Sequence, residues 1–154
     1  MPTIANSIMI TGPVAAVFDL VTTARFWPQW HPATLAVGGV TERPYQLGDA
    51  IHERGQVGAA QFQVVWTVTE HDRPRRVAFQ CPAPARIVYT FEQKGESTEF
   101  RREVEYADAV LAAASSDPET LRHVMLAQSA EALARVKQLV EAILQAEAAD
   151  LPVR

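Results

Sequence analysis

Apolar residues recur with two different periods along this chain, and the switches between them mark its elements. Ile4, Ile8 and Ile10 share one parity, the alternation of a half-buried strand, with Asn6 interrupting the row. Gly12 and Pro13 stop that strand, and proline suits the first position of a helix. Val14, Val17, Phe18 and Val21 then fall at i, i+3, i+4 and i+7, so a short helix buries one stripe. Thr22 and Thr23 end it, and Thr23 is placed to cap a second short helical turn carrying Phe26, Trp27 and Trp30.

From Leu35 to Tyr106 the period returns to two. Phe62, Val64, Trp66 and Val68 line one face of the clearest strand, opposite Gln61, Gln63, Val65, Thr67 and Thr69. Val77, Phe79 and Cys81 continue the pattern, followed by Ile87, Tyr89 and Phe91. The last strand sets Phe100, Val104 and Tyr106 against Glu99, Arg101, Glu103 and Glu105. Turns are expected at Gly38–Gly39, Pro44, Gly48–Asp49, Gly55 through Gly58, Asp72 to Pro74, Pro82–Pro84 and Gly95. One wet face and one buried face fit an antiparallel meander.

Ser116, Asp117, Pro118 and Glu119 then form a strong helix start, and the helix runs to about Ala148. Leu121, Met125, Ala132, Val136, Leu139, Val140 and Ile143 fall within one apolar arc, with His123, Glu131, Lys137, Gln138 and Glu141 outside it. The Ala-rich stretches at 112–114 and 146–149 read as helix-end material. Such a helix is long enough to cross a whole small sheet. The expected class is α+β: a six- or seven-stranded antiparallel sheet around a long C-terminal helix, as one domain over residues 1–154 with its core at about 3–148.

Composition narrows the function. With 48% hydrophobic residues the chain can fill a core, while a formal charge of −4 argues against nucleic acid and against an anionic membrane surface. The densest basic run, Arg73, Arg75 and Arg76 around Pro74, reads as a solvated turn. Cys81 is the only cysteine, so no intramolecular disulfide forms, and a reducing compartment is expected. The N-terminus lacks the basic and apolar regions of a signal peptide, and no apolar run reaches bilayer length. A cytoplasmic monomer or homodimer is the expectation.

The order of strand, two short helices, six further strands and long helix is carried by GPVAAVFDLVTTARFWPQW, LGD at 47–49, WTVTEHDRPRRVAF and YTFEQKGESTEFRREVEY. It resembles the bacterial polyketide cyclase/dehydrase and lipid-transport group of the START and birch-pollen-allergen (SRPBCC) superfamily. The resemblance implies a helix-grip fold. It also implies an internal cavity between sheet and long helix that takes a sterol, lipid, polyketide, isoprenoid or similar small hydrophobic molecule. Members acting as cyclases, dehydratases or aromatases need no cofactor, but no family set of catalytic residues carries over onto this sequence position by position.

No phosphate loop, nucleophile elbow, zinc-helix motif or dinucleotide fingerprint is present, and the histidines lack metal-ligand spacing, so neither cofactor nor metal is expected. His71 is placed in a turn, and His123 faces solvent by the helix count. The remaining candidates are polar residues in buried rows. Arg102 shares parity with Phe100, Val104 and Tyr106; it either reads an oxygenated ligand end, held by Glu53 or Tyr106, or reaches water at the sheet end. Glu53 is either that partner or an exposed strand residue. His31 serves as an acid or base beside the cavity, or caps its local turn. With Glu53 and Tyr106 it makes up the catalytic candidates. Trp66, Phe79, Tyr89, Phe100, Met125 and Ser129 are the expected lining beside Arg102, with Gln128 near the same arc. The other reading of Tyr89 is a core aromatic, and of Ser129 a hydroxyl bonded to its own helix. Trp27 and Trp30 read as core anchors.

Overall fold

The computed structural model describes residues 3–57, 59–82, 84–107 and 117–150. The chain runs β1 (Thr3–Thr11), α1 (Val14–Val21), a 3-10 turn (Ala24–Phe26) continuing into α2 (Trp27–Trp30), β2 (Thr34–Gly39), β3 (Ala50–Val57), β4 (Ala60–Asp72), β5 (Arg76–Cys81), β6 (Ala85–Lys94), β7 (Ser97–Tyr106) and α3 (Pro118–Ala149). The seven strands form one antiparallel sheet in the order β1-β7-β6-β5-β4-β3-β2. This is the helix-grip architecture expected from the period changes: a curled sheet closed over by α1, α2 and α3.

Alternation decides which face is inside. Trp66 and Val68 of β4 are buried while Val65, Thr67 and Thr69 are exposed. Phe100, Arg102, Val104 and Tyr106 of β7 are buried together. Asp117 caps α3: its carboxylate accepts the Thr120 N–H at 3.3 Å and the Thr120 hydroxyl at 2.5 Å. That satisfies one of the helix's orphan donors. The apolar arc of α3 packs as expected and also includes Leu133, 2% exposed. Lys137 and Glu141, outside the arc, tie the helix to the edge strand: Lys137 Nζ donates to the Met9 carbonyl, and the Glu141 carboxylate accepts the Thr11 N–H, both at 2.8 Å.

Several local expectations change. Pro13 is the N-cap of α1, not its first residue. The Thr22 and Thr23 hydroxyls donate back to the carbonyls of Phe18 and Asp19, each at 2.7 Å, so Thr23 does not cap the next turn. Closing the first helix serves better here than opening the second. His71 belongs to β4, its ring edge-on to Phe18. β3 runs straight through Gly55, because the chain reverses only after Val57. Arg73, Arg75 and Arg76 pair with Asp19, Asp72 and Glu70, solvent-screened surface contacts that add little to stability. Ser116 and 112–114 lie outside the described residues.

Candidate functional site

A cavity of about 520 Å³ lies between the sheet, α2 and the N-terminal half of α3. Ile4, Val64, Ile87, Val104, Leu121 and Met125 give it an apolar lining. The volume falls within the ~300–1,000 Å³ usual for small-molecule pockets. Beside it the core is solid. Phe91 stacks on Phe100 at 5.0 Å, Phe18 meets Phe91 edge-on at 5.0 Å, and Phe79 is ringed by Trp27, Tyr45, Trp66 and Tyr89 at 5.2–5.6 Å.

Strand register builds the polar part of one wall. Asn6 of β1, Arg102 of β7 and Tyr89 of β6 are cross-strand partners in one row. Ser129 descends onto that row from α3. Arg102 Nη1 donates to Ser129 Oγ at 3.3 Å, and Ser129 Oγ donates to Asn6 Oδ1 at 2.7 Å. Arg102 also bonds the Tyr89 hydroxyl. Burial pushes the Tyr89 hydroxyl pKa up against the opposing effect of the Arg102 charge. Every one of these partners is neutral, and among the described residues no carboxylate lies within ion-pair distance of the guanidinium. Its Nε is buried without an acceptor.

The opposite wall holds the carboxylate. Glu53 of β3 accepts the Trp66 indole N–H at 2.9 Å on one oxygen and the Thr34 hydroxyl at 2.5 Å on the other. Thr34 sits at the bulge where β2 slips against β3. Gly55 follows on the same inner face. A Cβ there would stand 2.3 Å from the Phe62 ring and 2.5 Å from the Ala33 carbonyl oxygen, so only glycine lets that ring lie over β3.

His31 follows α2 and lines the cavity. Its Nδ1 accepts the Ala33 N–H at 3.1 Å, capping the local turn. Desolvation, then the nearby Arg102 charge, hold its pKa well below the ordinary value, so the imidazole is neutral and carries its proton on Nε2. Tyr106 is buried with its hydroxyl unbonded among the described residues, and so is the indole N–H of Trp30; both residues line the cavity.

Of the residues singled out in the sequence, Trp66, Tyr89, Arg102, Met125, Ser129, His31, Glu53, Tyr106 and Gln128 line this cavity. Phe79 and Phe100 face the same way but lie in the packed region, their rings covered by other aromatics. Among the described residues Arg102 is held by Ser129 and Tyr89, not by Glu53, whose oxygens are taken by Thr34 and Trp66, nor by Tyr106, whose hydroxyl is unbonded. Asn6 and Thr34 were not anticipated. Asn6 carried a signal: like Arg102 it breaks an apolar row, and a break on each of two adjacent strands marks a polar row.

The curled antiparallel sheet closed by the long C-terminal helix defines a helix-grip protein. The family model described as "Polyketide cyclase / dehydrase and lipid transport" matches residues 1–141, and the chain belongs to that family. No curated protein sequence matches it. Among solved structures, it is similar to TTHA0849 from Thermus thermophilus, at TM-score 0.74 and 13% identity over 92% of this chain and 99% of that one. BH1534 from Bacillus halodurans gives 0.69 and 15% over 92% and 98%. Ara h 8.0201 gives 0.64 and 12% over 92% and 98%. At such identities the likeness concerns the fold alone. No helix among the described residues is long and apolar enough to cross a membrane.

Proposed function

We propose that this chain binds one small, largely apolar molecule in the cavity and holds it without changing it chemically. The observation that carries the reading is an apolar cavity of ligand size whose few polar groups are spread over opposite walls. The family description names catalysis as well as transport, so a cyclase or dehydratase is the competing reading. Such an enzyme needs an acid and a base within reach of one reacting atom. Here the lone pair of His31 Nδ1 is engaged by Ala33, and both Glu53 oxygens already accept hydrogen bonds. The Tyr106 hydroxyl is buried and, among the described residues, has no hydrogen-bond partner to act with it.

Native mass spectrometry of the purified protein tests this. A carrier releases a defined apolar molecule on denaturation and returns an added apolar ligand at unchanged mass. Recovery of the ligand with loss of water establishes the enzyme. Protein that is ligand-free and also fails to bind a neutral apolar dye such as Nile red rules out both readings.

A further inference from the structure

Among the described residues, the cavity-lining side chains carry buried polar atoms without a partner, chiefly hydrogen-bond donors. Arg102 Nε and the Trp30 indole nitrogen can only donate, and the Tyr106 hydroxyl has no partner. The carboxylate of Glu53, by contrast, is occupied on both oxygens. Arg102 decides what kind of acceptor belongs there. It is 7% exposed, lines the cavity, and its partners among the described residues are neutral groups, Ser129 and Tyr89. A buried guanidinium in that state leaves its desolvation cost largely uncompensated. An anionic oxygen beside the guanidinium would offset that cost, and charge-assisted bonds of this type are about twice as strong as neutral ones.

We infer that the cavity selects amphiphiles ending in a carboxylate, which the Arg102 guanidinium binds while the apolar body packs on Leu121, Met125 and Ile87. This rests on the cavity-binding reading and names the chemistry of its polar end. Glu53 sits on β3, with β6, β5 and β4 between that strand and β7, and both its oxygens are engaged, by Thr34 and Trp66. His31 adds no negative charge. A ligand without an anionic end leaves the guanidinium without a counter-charge.

The test is a headgroup series on one chain length. Dodecanoate, methyl dodecanoate, dodecanol and dodecylamine each displace Nile red from the full chain at neutral pH. Dodecanoate should bind tighter than the ester and the alcohol by about ten- to a hundredfold, the range of a charge-assisted hydrogen bond, and dodecylamine should be weakest. In Arg102→Met the acid-to-ester ratio should fall to about one, and Arg102→Lys, which keeps the charge but loses the planar fork of donors, should fall between. Equal binding of acid and ester by the wild type overturns the inference and leaves the carrier reading standing. An Arg102→Met variant that weakens all four compounds alike overturns it too, since Arg102 then shapes the cavity and reads no headgroup. If that variant does not fold, the wild-type series alone decides. Failure of Nile red and all four compounds to bind removes the carrier reading itself.

Discussion

Two regions of the same inner sheet face behave differently. Around Phe91 and Phe100, every inward side chain meets another: Phe18 closes over the pair, and Ile10, Val17 and Val140 are fully covered. Two residues further along β7, the row that begins with Phe100 reaches Arg102, and from there to Tyr106 it borders open space. The first region is held by close packing. In the second, packing is given up around the cavity, and the side chains there are fixed by hydrogen bonds between neutral partners and one charge. Ser129 illustrates the exchange: it sits on the buried arc of α3, where an apolar residue would pack well, and instead links Asn6 to Arg102.

The contrast breaks most visibly in stability. Phe100→Ala empties a fully buried site in the packed region and should cost about 3–5 kcal/mol, read from chemical denaturation. Next in size is Arg102→Met, which should weaken carboxylate binding by about 1.5–3 kcal/mol in calorimetric titration. Its fold stability should stay level or rise, because apolar replacement of a buried charge is often tolerated.

His31 sharpens the comparison through pH. Its pKa is lowered in the folded state, so the unfolded chain takes up a proton first as pH falls. Stability is therefore highest above the unfolded value of about 6.5 and declines as pH drops from there toward the lowered folded value, by at most about 1.4 kcal/mol per pH unit. His31→Asn keeps an acceptor for the Ala33 N–H and removes the titration. Relative to wild type it should gain stability as pH falls below about 6.5 in melting experiments, and a pH-independent difference would show that the imidazole does not titrate this way. The smallest effect is Met125→Ala. Since Met125 already borders open space, truncation should cost under about 1 kcal/mol, against the ~2–5 usual for a packed methionine.

Much of the fold was legible because parity and period are local. Phe62 through Val68 declared one face of β4, and Asp117 announced α3 three residues before the hydrogen bond that proves it. The site was legible only by face. Arg102 stood out as a charge in an apolar row, but its partners depend on register: Asn6 is 96 residues earlier in the chain and joins it only through the β1–β7 pairing. Depth along a strand was also hidden. Phe100 and Tyr106 share a face and differ only in whether the short helices and α3 fill the space above them, which no pattern within β7 encodes. Thr34 reaches Glu53 through a bulge, and a bulge shifts parity without any mark in composition.

The most direct measurement is dye binding with the open region closed from inside. Val104 lies on the cavity wall, and Phe in its place fills that space without adding charge. In the packed region a comparable enlargement, Val17→Phe, should cost about 1–3 kcal/mol. Val104→Phe should melt no lower than wild type, yet bind Nile red about tenfold more weakly or not at all, while the wild type shows a single saturable site. Full dye affinity in a folded Val104→Phe variant, or melting as depressed as in Val17→Phe, would contradict the account, because no ligand-sized space would then separate the two regions.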